Sequence, residues 1–340
     1  MAEESKTQTI DPCSYANIHE VKCVHTHLNL SVDFEKKILF GNVDLSFKCV
    51  SKDKPISSII LDTRELDVKS VYLTTDANKT PLKHSYLPAN EKVPTYGKPL
   101  NIALSTALNN DDTVQITIEY STSPSAEAIQ WLTPQQTVGK KLPYLFTQCQ
   151  AIGARTLLPC QDSPGAKNTY SANITIHNNK ELIPLMSALP DGDNKSENKD
   201  SITYRFKQPV PCCSYLIALV VGNLERREID KRCAVYCEPG MIDAAQYEFA
   251  NTGKMLDIAE SICGEFVWGR YDLLMLPPSF PYGGMENPNL TFVTPTLIAG
   301  DRSLENVVAH EITHSWTGNL VTNVSWEHFW LNEGWTRFIE

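Results

Sequence analysis

The chain has 340 residues, of which 42% are hydrophobic and 21% charged, and a net charge of −10. That balance is ordinary for globular proteins and excludes disordered and fibrous architectures. A net negative field argues against nucleic acid or an anionic membrane surface as partner. The longest apolar run, Tyr215 to Val221, is far short of the roughly 20 residues a membrane span requires. The N-terminus, Met1-Ala2-Glu3-Glu4-Ser5, has neither the basic nor the apolar start of a secretory signal, so a cytoplasmic location is expected. The ten cysteines are then expected to be reduced thiols. Cys233 and Cys237 could form half a metal site, but no second Cys or His pair follows at finger spacing, so ordinary thiols are the expected reading.

The first two thirds reads as β. From Val24 to Phe34 the apolar-type residues fall on even positions (Val24, Thr26, Leu28, Leu30, Val32, Phe34), the period of a half-buried strand. His25 and His27 fall on its polar face and read as solvated strand histidines rather than ligands. After the polar turn Glu35-Lys36-Lys37, the alternation of Val43, Leu45, Phe47 and Cys49 predicts an antiparallel partner. Ile59 to Leu61, Val114 to Tyr120 and Ala172 to Ile176 repeat the signal, with turn clusters such as Asn109 to Asp112 and Asp191 to Asn194 between them. Many short strands with such punctuation predict an all-β, saddle-like or sandwich domain over 1–222.

The character changes near residue 223, where a second domain is expected over 223–340. A helix is predicted over Ala244 to Gly264, with Tyr247, Phe249, Met255, Ile258, Ala259 and Ile262 as its apolar positions. Leu273 to Leu276 reads as a short buried strand ended by Pro277-Pro278. Ser303 is the expected N-cap of a helix running through Trp316, with Gly318 past its end, and Phe329 to Glu340 forms another helix.

Within the first of these two helices stands His310-Glu311-Ile312-Thr313-His314, an HExxH pattern. Residues four apart share a helix face about 6 Å apart along the axis, so both imidazoles can reach one tetrahedral zinc. Glu311 is rotated about 100° from the first ligand and can reach a water on the metal. Leu304, Val307, Val308 and Ile312 form the apolar stripe expected to bury the helix. A catalytic zinc needs a third protein ligand and one open position, and Glu333, separated from His314 by 18 residues, completes a His/His/Glu set. Upstream, Pro281 to Pro288 contains Gly283-Gly284-Met285-Glu286. The glycines permit close backbone approach, an extended segment there can pair with a peptide as an edge strand does, and Glu286 can bind an α-amino group near the metal.

Together, HExxH-x18-E and Gly283-Gly284-Met285-Glu286-Asn287 resemble the M1 family of zinc aminopeptidases. Pro277 to Pro288, Thr294 to Leu297, Trp316 to Asn323, Phe329 to Gly334, Gln148 to Ala151 and Arg155 to Pro164 are similar to its leukotriene A-4 hydrolase branch. The resemblance spans roughly residues 20 to 340. It implies an N-terminal β saddle followed by a truncated thermolysin-like, mostly α, zinc peptidase domain. By the family pattern, His310, His314 and Glu333 hold one zinc ion per chain. Glu311 is then the general base and later the proton donor, and Glu286 anchors the free N-terminus of a peptide. Gln148, Cys149 and Gln150, on a loop of the β domain, line the same pocket. Gly283, Gly284 and Met285 bind the peptide backbone, with Pro281 and Tyr282 beside them. In the leukotriene branch a fatty-acid epoxide is a further substrate of that site.

The family also carries a tyrosine well downstream of the third zinc ligand and an α-helical C-terminal domain, neither of which has a counterpart in these 340 residues. The resemblance therefore predicts the front part of a longer enzyme, with Trp335, Phe338 and Ile339 uncovered. The alternative is a short product that binds zinc or peptides and turns over little or nothing.

Overall fold

A computed structural model describes residues 11–75 and 78–340. Every strand up to Gly222 belongs to one of three sheets. The largest has eight strands, in the order Leu189–Glu197, Ser201–Cys213, Lys167–His177, Val21–Asp33, Ile38–Cys49, Thr113–Ser121, Asp67–Thr74 and Lys79–Pro81. Its pairs are antiparallel except Val21–Asp33 with Lys167–His177, which run parallel. A three-stranded sheet centred on Lys98–Leu108 and a four-stranded sheet containing Tyr144–Thr147 and Leu219–Gly222 complete the β domain. The predicted hairpin forms, with Thr26 opposite Leu45 and Leu28 opposite Val43 on the buried face.

The alternation begins two residues later than its period suggests. A register shift between Cys23 and His25 inserts an extra residue, so Val21 and Cys23 point inward while Val24 turns out and is 45% exposed. Such a bulge opposes two residues to one on the partner strand and re-aims a side chain. His25 and His27 are half-buried rather than solvated. Their rings bond to Thr169 and Ser171 of the neighbouring strand and to Asn29.

From Glu225 onward the strands form a fourth sheet in the order Glu225–Glu228, Ala234–Cys237, Asp272–Met275, Leu290–Val293 and Gly284–Met285. Its three inner strands are parallel and both edges antiparallel. Four α-helices accompany it: α1 (Ile242–Glu248), α2 (Thr252–Cys263), α3 (Glu305–Thr313) and α4 (Phe329–Ile339).

The single helix expected over 244–264 is two. Phe249 is buried, and its carbonyl accepts from both the backbone N–H and the hydroxyl of Thr252, a turn that resets the helix direction. Each piece buries its own face, Ile242 and Ala245 in α1 and Leu256 and Ala259 in α2. Tyr247, Ile258 and Ile262, taken as core positions from one continuous period, are instead exposed. Ser303 does not cap α3. The buried Glu248 carboxylate accepts from the N–H groups of Gly300 and Arg302, so it shapes the entry loop and the helix starts at Glu305. Of the predicted stripe, Val308 and Ile312 are buried, Val307 is half-buried and Leu304 is exposed. The helix stops at Thr313 and turns through Trp316 to Gly318, whose φ of +122° is costly for other residues. Trp335 and Phe338 are exposed on the outer face of α4, while Ile339 is half-buried. All ten cysteines are free. Among the described residues no helix is long and apolar enough to cross a membrane.

Candidate active site

α3 and α4 face each other across the site. His310 and His314, on successive turns of α3, place their Nε2 atoms 3.1 Å apart. Both Nδ1 atoms are already committed. That of His310 lies 2.9 Å from the Glu340 carboxylate, and that of His314 lies 2.9 Å from the Thr317 carbonyl and 2.9 Å from the Thr336 hydroxyl. A carboxylate and a carbonyl only accept, so each Nδ1 carries the proton and each Nε2 presents its lone pair to the gap. Glu333 brings Oε2 to within 3.5 Å of one Nε2 and 3.7 Å of the other. Two imidazole nitrogens and a carboxylate oxygen aimed at one point form a donor set that suits zinc, with outer partners orienting both rings. The residues present fit the metal.

The electrostatics point the same way. Hydrogen bonding to Glu333, and further to Glu340, raises the pKa of His310 to about 9 against the opposing effect of burial. The same hydrogen bond holds the Glu333 carboxyl below its usual range. A place that raises proton affinity at Nε2 and favours an ionised carboxylate attracts positive charge.

Glu311 is buried, and its Oε2 has no hydrogen-bond partner. Burial, reinforced by the neighbouring Glu286 carboxylate, pushes its pKa well up. Glu286, Glu311 and His314 bring ligand atoms within 4.8 Å of one another. Glu286 is itself buried, with its carbonyl accepting from Asn319 Nδ2 at 2.7 Å and its carboxylate from Gln150 Nε2 at 3.3 Å. Two buried carboxylates side by side lower the energy of a cation placed between them.

Gly284 and Met285 form an edge strand of the fourth sheet, paired with Leu290–Val293 on one side only. Gly284 packs directly against Glu311: a Cβ there would lie 2.3 Å from Oε1. Met285 is buried, and its sulfur accepts from Gln148 Nε2 at 3.0 Å. Gln148 and Gln150 thus reach Met285 and Glu286 from the β domain, and the peptide that follows them, Gln150–Ala151, is cis. Cys149, between them, is buried in the core, where burial raises the pKa of its thiol and the charge of Asp162 adds to the shift. Pro281, Tyr282 and Gly283 are exposed, with Tyr282 edge-on to Phe280. Sequence reasoning missed Glu340, Thr336 and Asn319. For Thr336 and Glu340 the one legible signal is that 333, 336 and 340 share a helix face, and Asn319 has none.

Residues 15–216 match the peptidase M1 N-terminal domain and residues 247–340 the peptidase family M1 domain. The chain belongs to peptidase family M1. This M1 chain is 49% identical over 334 residues to a leukotriene A-4 hydrolase of Xenopus laevis, covering 97% of the chain and 52% of that protein. It is 45% identical to a leucine aminopeptidase 2 of Yarrowia lipolytica, covering 97% of the chain and 48% of that protein. The structure of native leukotriene A4 hydrolase from Saccharomyces cerevisiae superposes with a TM-score of 0.88 at 40% identity, over 98% of this chain and 50% of that one. The M1 chain spans about half the length of the curated relatives it matches. The expected architecture, a β-rich N-terminal domain followed by part of a mostly helical M1 catalytic domain, is what the matches and the structure give.

Proposed function

We propose that this protein is a zinc aminopeptidase that removes N-terminal residues from peptides. The observation that carries the reading is the convergence of His310, His314 and Glu333 beside the buried, unpartnered carboxylate of Glu311. Zinc held by those three residues supplies Lewis acidity and lowers the pKa of a nearby water. Glu311 takes the proton of the attacking water and later delivers it to the leaving amine. Glu286 binds the substrate's α-ammonium, with Gln150 orienting its carboxylate, which fixes cleavage to the first peptide bond. The open edge of Gly284–Met285 pairs with the substrate backbone, with Pro281, Tyr282 and Gly283 flanking its entry. Gln148 steadies Met285. The domain boundary in this reading lies between Gly222 and Glu225, where strands pass from the first three sheets to the fourth. The ten free cysteines accord with the reducing cytosol.

Relatives named leucine aminopeptidase 2 and leukotriene A-4 hydrolase support the class of reaction. Epoxide hydrolysis at the same metal is a second activity to test on a fatty-acid epoxide. Removing zinc with a chelator is expected to abolish hydrolysis of an aminoacyl-arylamide, and adding zinc back to restore it. Glu311→Gln should keep the metal yet lower kcat by about 10²–10⁴-fold. Turnover that survives metal removal, or a Glu311→Gln variant as active as the parent, overturns the reading.

A further inference from the structure

The turn after α3 is held by a lysine from the other domain. Lys167 is the first residue of Lys167–His177 in the eight-stranded sheet, and its Nζ donates to the carbonyls of Asn319 at 3.0 Å and Leu320 at 2.9 Å. Asn319 is buried and makes three further bonds: its backbone N–H donates to the carbonyl of His314 at 3.0 Å, its side chain donates to the carbonyl of Glu286 at 2.7 Å, and its carbonyl also accepts from the Thr322 hydroxyl at 3.3 Å. One residue therefore ties the His314 end of α3 to the backbone of Glu286, the residue whose carboxylate is proposed to receive the substrate amine. It is itself held by an ammonium through charge-assisted bonds, roughly twice as strong as neutral ones. Gly318 N–H bonded to Val321, and Val321 N–H bonded to Trp316, make the rest of the turn a closed unit. The Lys167 contact fastens this unit to the β domain at Asn319 and Leu320.

We propose that Lys167 is a positioning residue: acting through Asn319, it sets the spacing between His314 and Glu286 and so tunes recognition of the substrate's α-ammonium. This rests on the aminopeptidase reading above. Without the ammonium, the Leu320 carbonyl loses the lysine donor and the Asn319 carbonyl keeps only the longer bond from the Thr322 hydroxyl, so Asn319 is held less firmly. That displaces Glu286 relative to the metal while leaving the three ligands of α3 and α4 in place.

Two zinc-binding probes separate this from a packing role: leucine hydroxamate, which carries an α-amine, and acetohydroxamate, which does not. Their affinities for the zinc-loaded protein are measured by calorimetry. Lys167→Met is expected to weaken the amine-bearing probe about tenfold and the amine-free one by less than about twofold, the scale on which outer-shell contacts act. Lys167→Arg, which keeps a charged donor, is expected to recover most of the difference. If Lys167→Met does not fold, Lys167→Gln, with one neutral donor, should show a smaller change of the same kind. Equal weakening of both probes, or loss of thermal stability with the affinity ratio unchanged, overturns the proposal. Failure of the unaltered protein to bind either probe overturns the aminopeptidase reading itself, and this inference with it.

Discussion

A methyl group on residue 284 would lie 2.3 Å from Glu311 Oε1, 2.5 Å from its Cδ and 2.7 Å from its Cγ. No side chain fits there unless the Glu311 carboxylate moves, and Glu311 is buried with its position set by packing. Gly284 is thus needed for space between the edge strand and the proposed base. Gly284→Ala is expected to lower kcat by about 10²-fold or more, within the range assigned to general bases, with little change in melting temperature. Because the methyl would act through the carboxylate, the double variant Gly284→Ala/Glu311→Gln should be no worse than Glu311→Gln alone. Additive losses in that cycle would show that Gly284 matters for another reason.

At the scale of elements, α4 carries its contribution on one stripe. Glu333 faces both histidines, Thr336 bonds to His314 Nδ1 and to the Thr317 hydroxyl at 2.6 Å, and Glu340 accepts from His310 Nδ1. The proposed ligand was legible because a His/His pair requires a third donor and the spacing to Glu333 supplied one. Thr336 and Glu340 were not, since a threonine and a glutamate on a helix are ordinary surface residues until the facing helix is known. The same limit explains the other differences. Period-two alternation identified Leu28, Leu30 and Val32 as core, but not the bulge that turns out Val24, because a one-residue insertion leaves the residue types unchanged. A 3.6-residue period found α1 and α2 yet ran through the turn at Phe249, whose break is made by Thr252 rather than by Gly or Pro. Lys167 and Asn319 were invisible for the same tertiary reason. Glu340→Ala is expected to weaken zinc binding about 10–100-fold, and Glu340→Gln, which keeps an acceptor for Nδ1, considerably less. Competition with a chromophoric chelator measures both, and an unchanged zinc affinity in Glu340→Ala would remove Glu340 from the site.

At the scale of the whole molecule, the site depends on how the β domain presents the segment bearing Gln148 and Gln150, and that segment is anchored by a buried charge. Arg155 is fully buried and donates from Nε to Asp162 at 2.8 Å, from Nη1 to the Tyr96 carbonyl at 2.8 Å and from Nη2 to the Cys13 carbonyl at 2.8 Å. Asp62 joins by accepting from the Asp162 N–H at 3.0 Å, from Tyr15 N–H at 2.7 Å and from the Ser14 hydroxyl. One guanidinium therefore connects segments distant in sequence and offsets two buried carboxylates. Burial raises the pKa of Asp62 to about 6, and Arg155 opposes the shift. A carboxyl whose folded-state pKa lies above its unfolded value costs stability in its charged form above pH 6, and that cost is relieved as pH falls from 6 towards 4. Arg155→Met removes the opposing charge, so the pKa of Asp62 should rise further and the cost at neutral pH grow. Breaking such a pair is expected to destabilise the protein by about 3–5 kcal/mol at pH 8. The loss should shrink by about 1.4 kcal/mol for each further unit of pKa shift once the pH is low enough for the carboxyl to protonate in the fold. Urea unfolding of parent and variant at pH 8 and pH 5 tests this: a smaller gap at pH 5 is the expected outcome. A gap independent of pH would mean that Arg155 acts through its carbonyl contacts to Cys13 and Tyr96 rather than through the carboxylates.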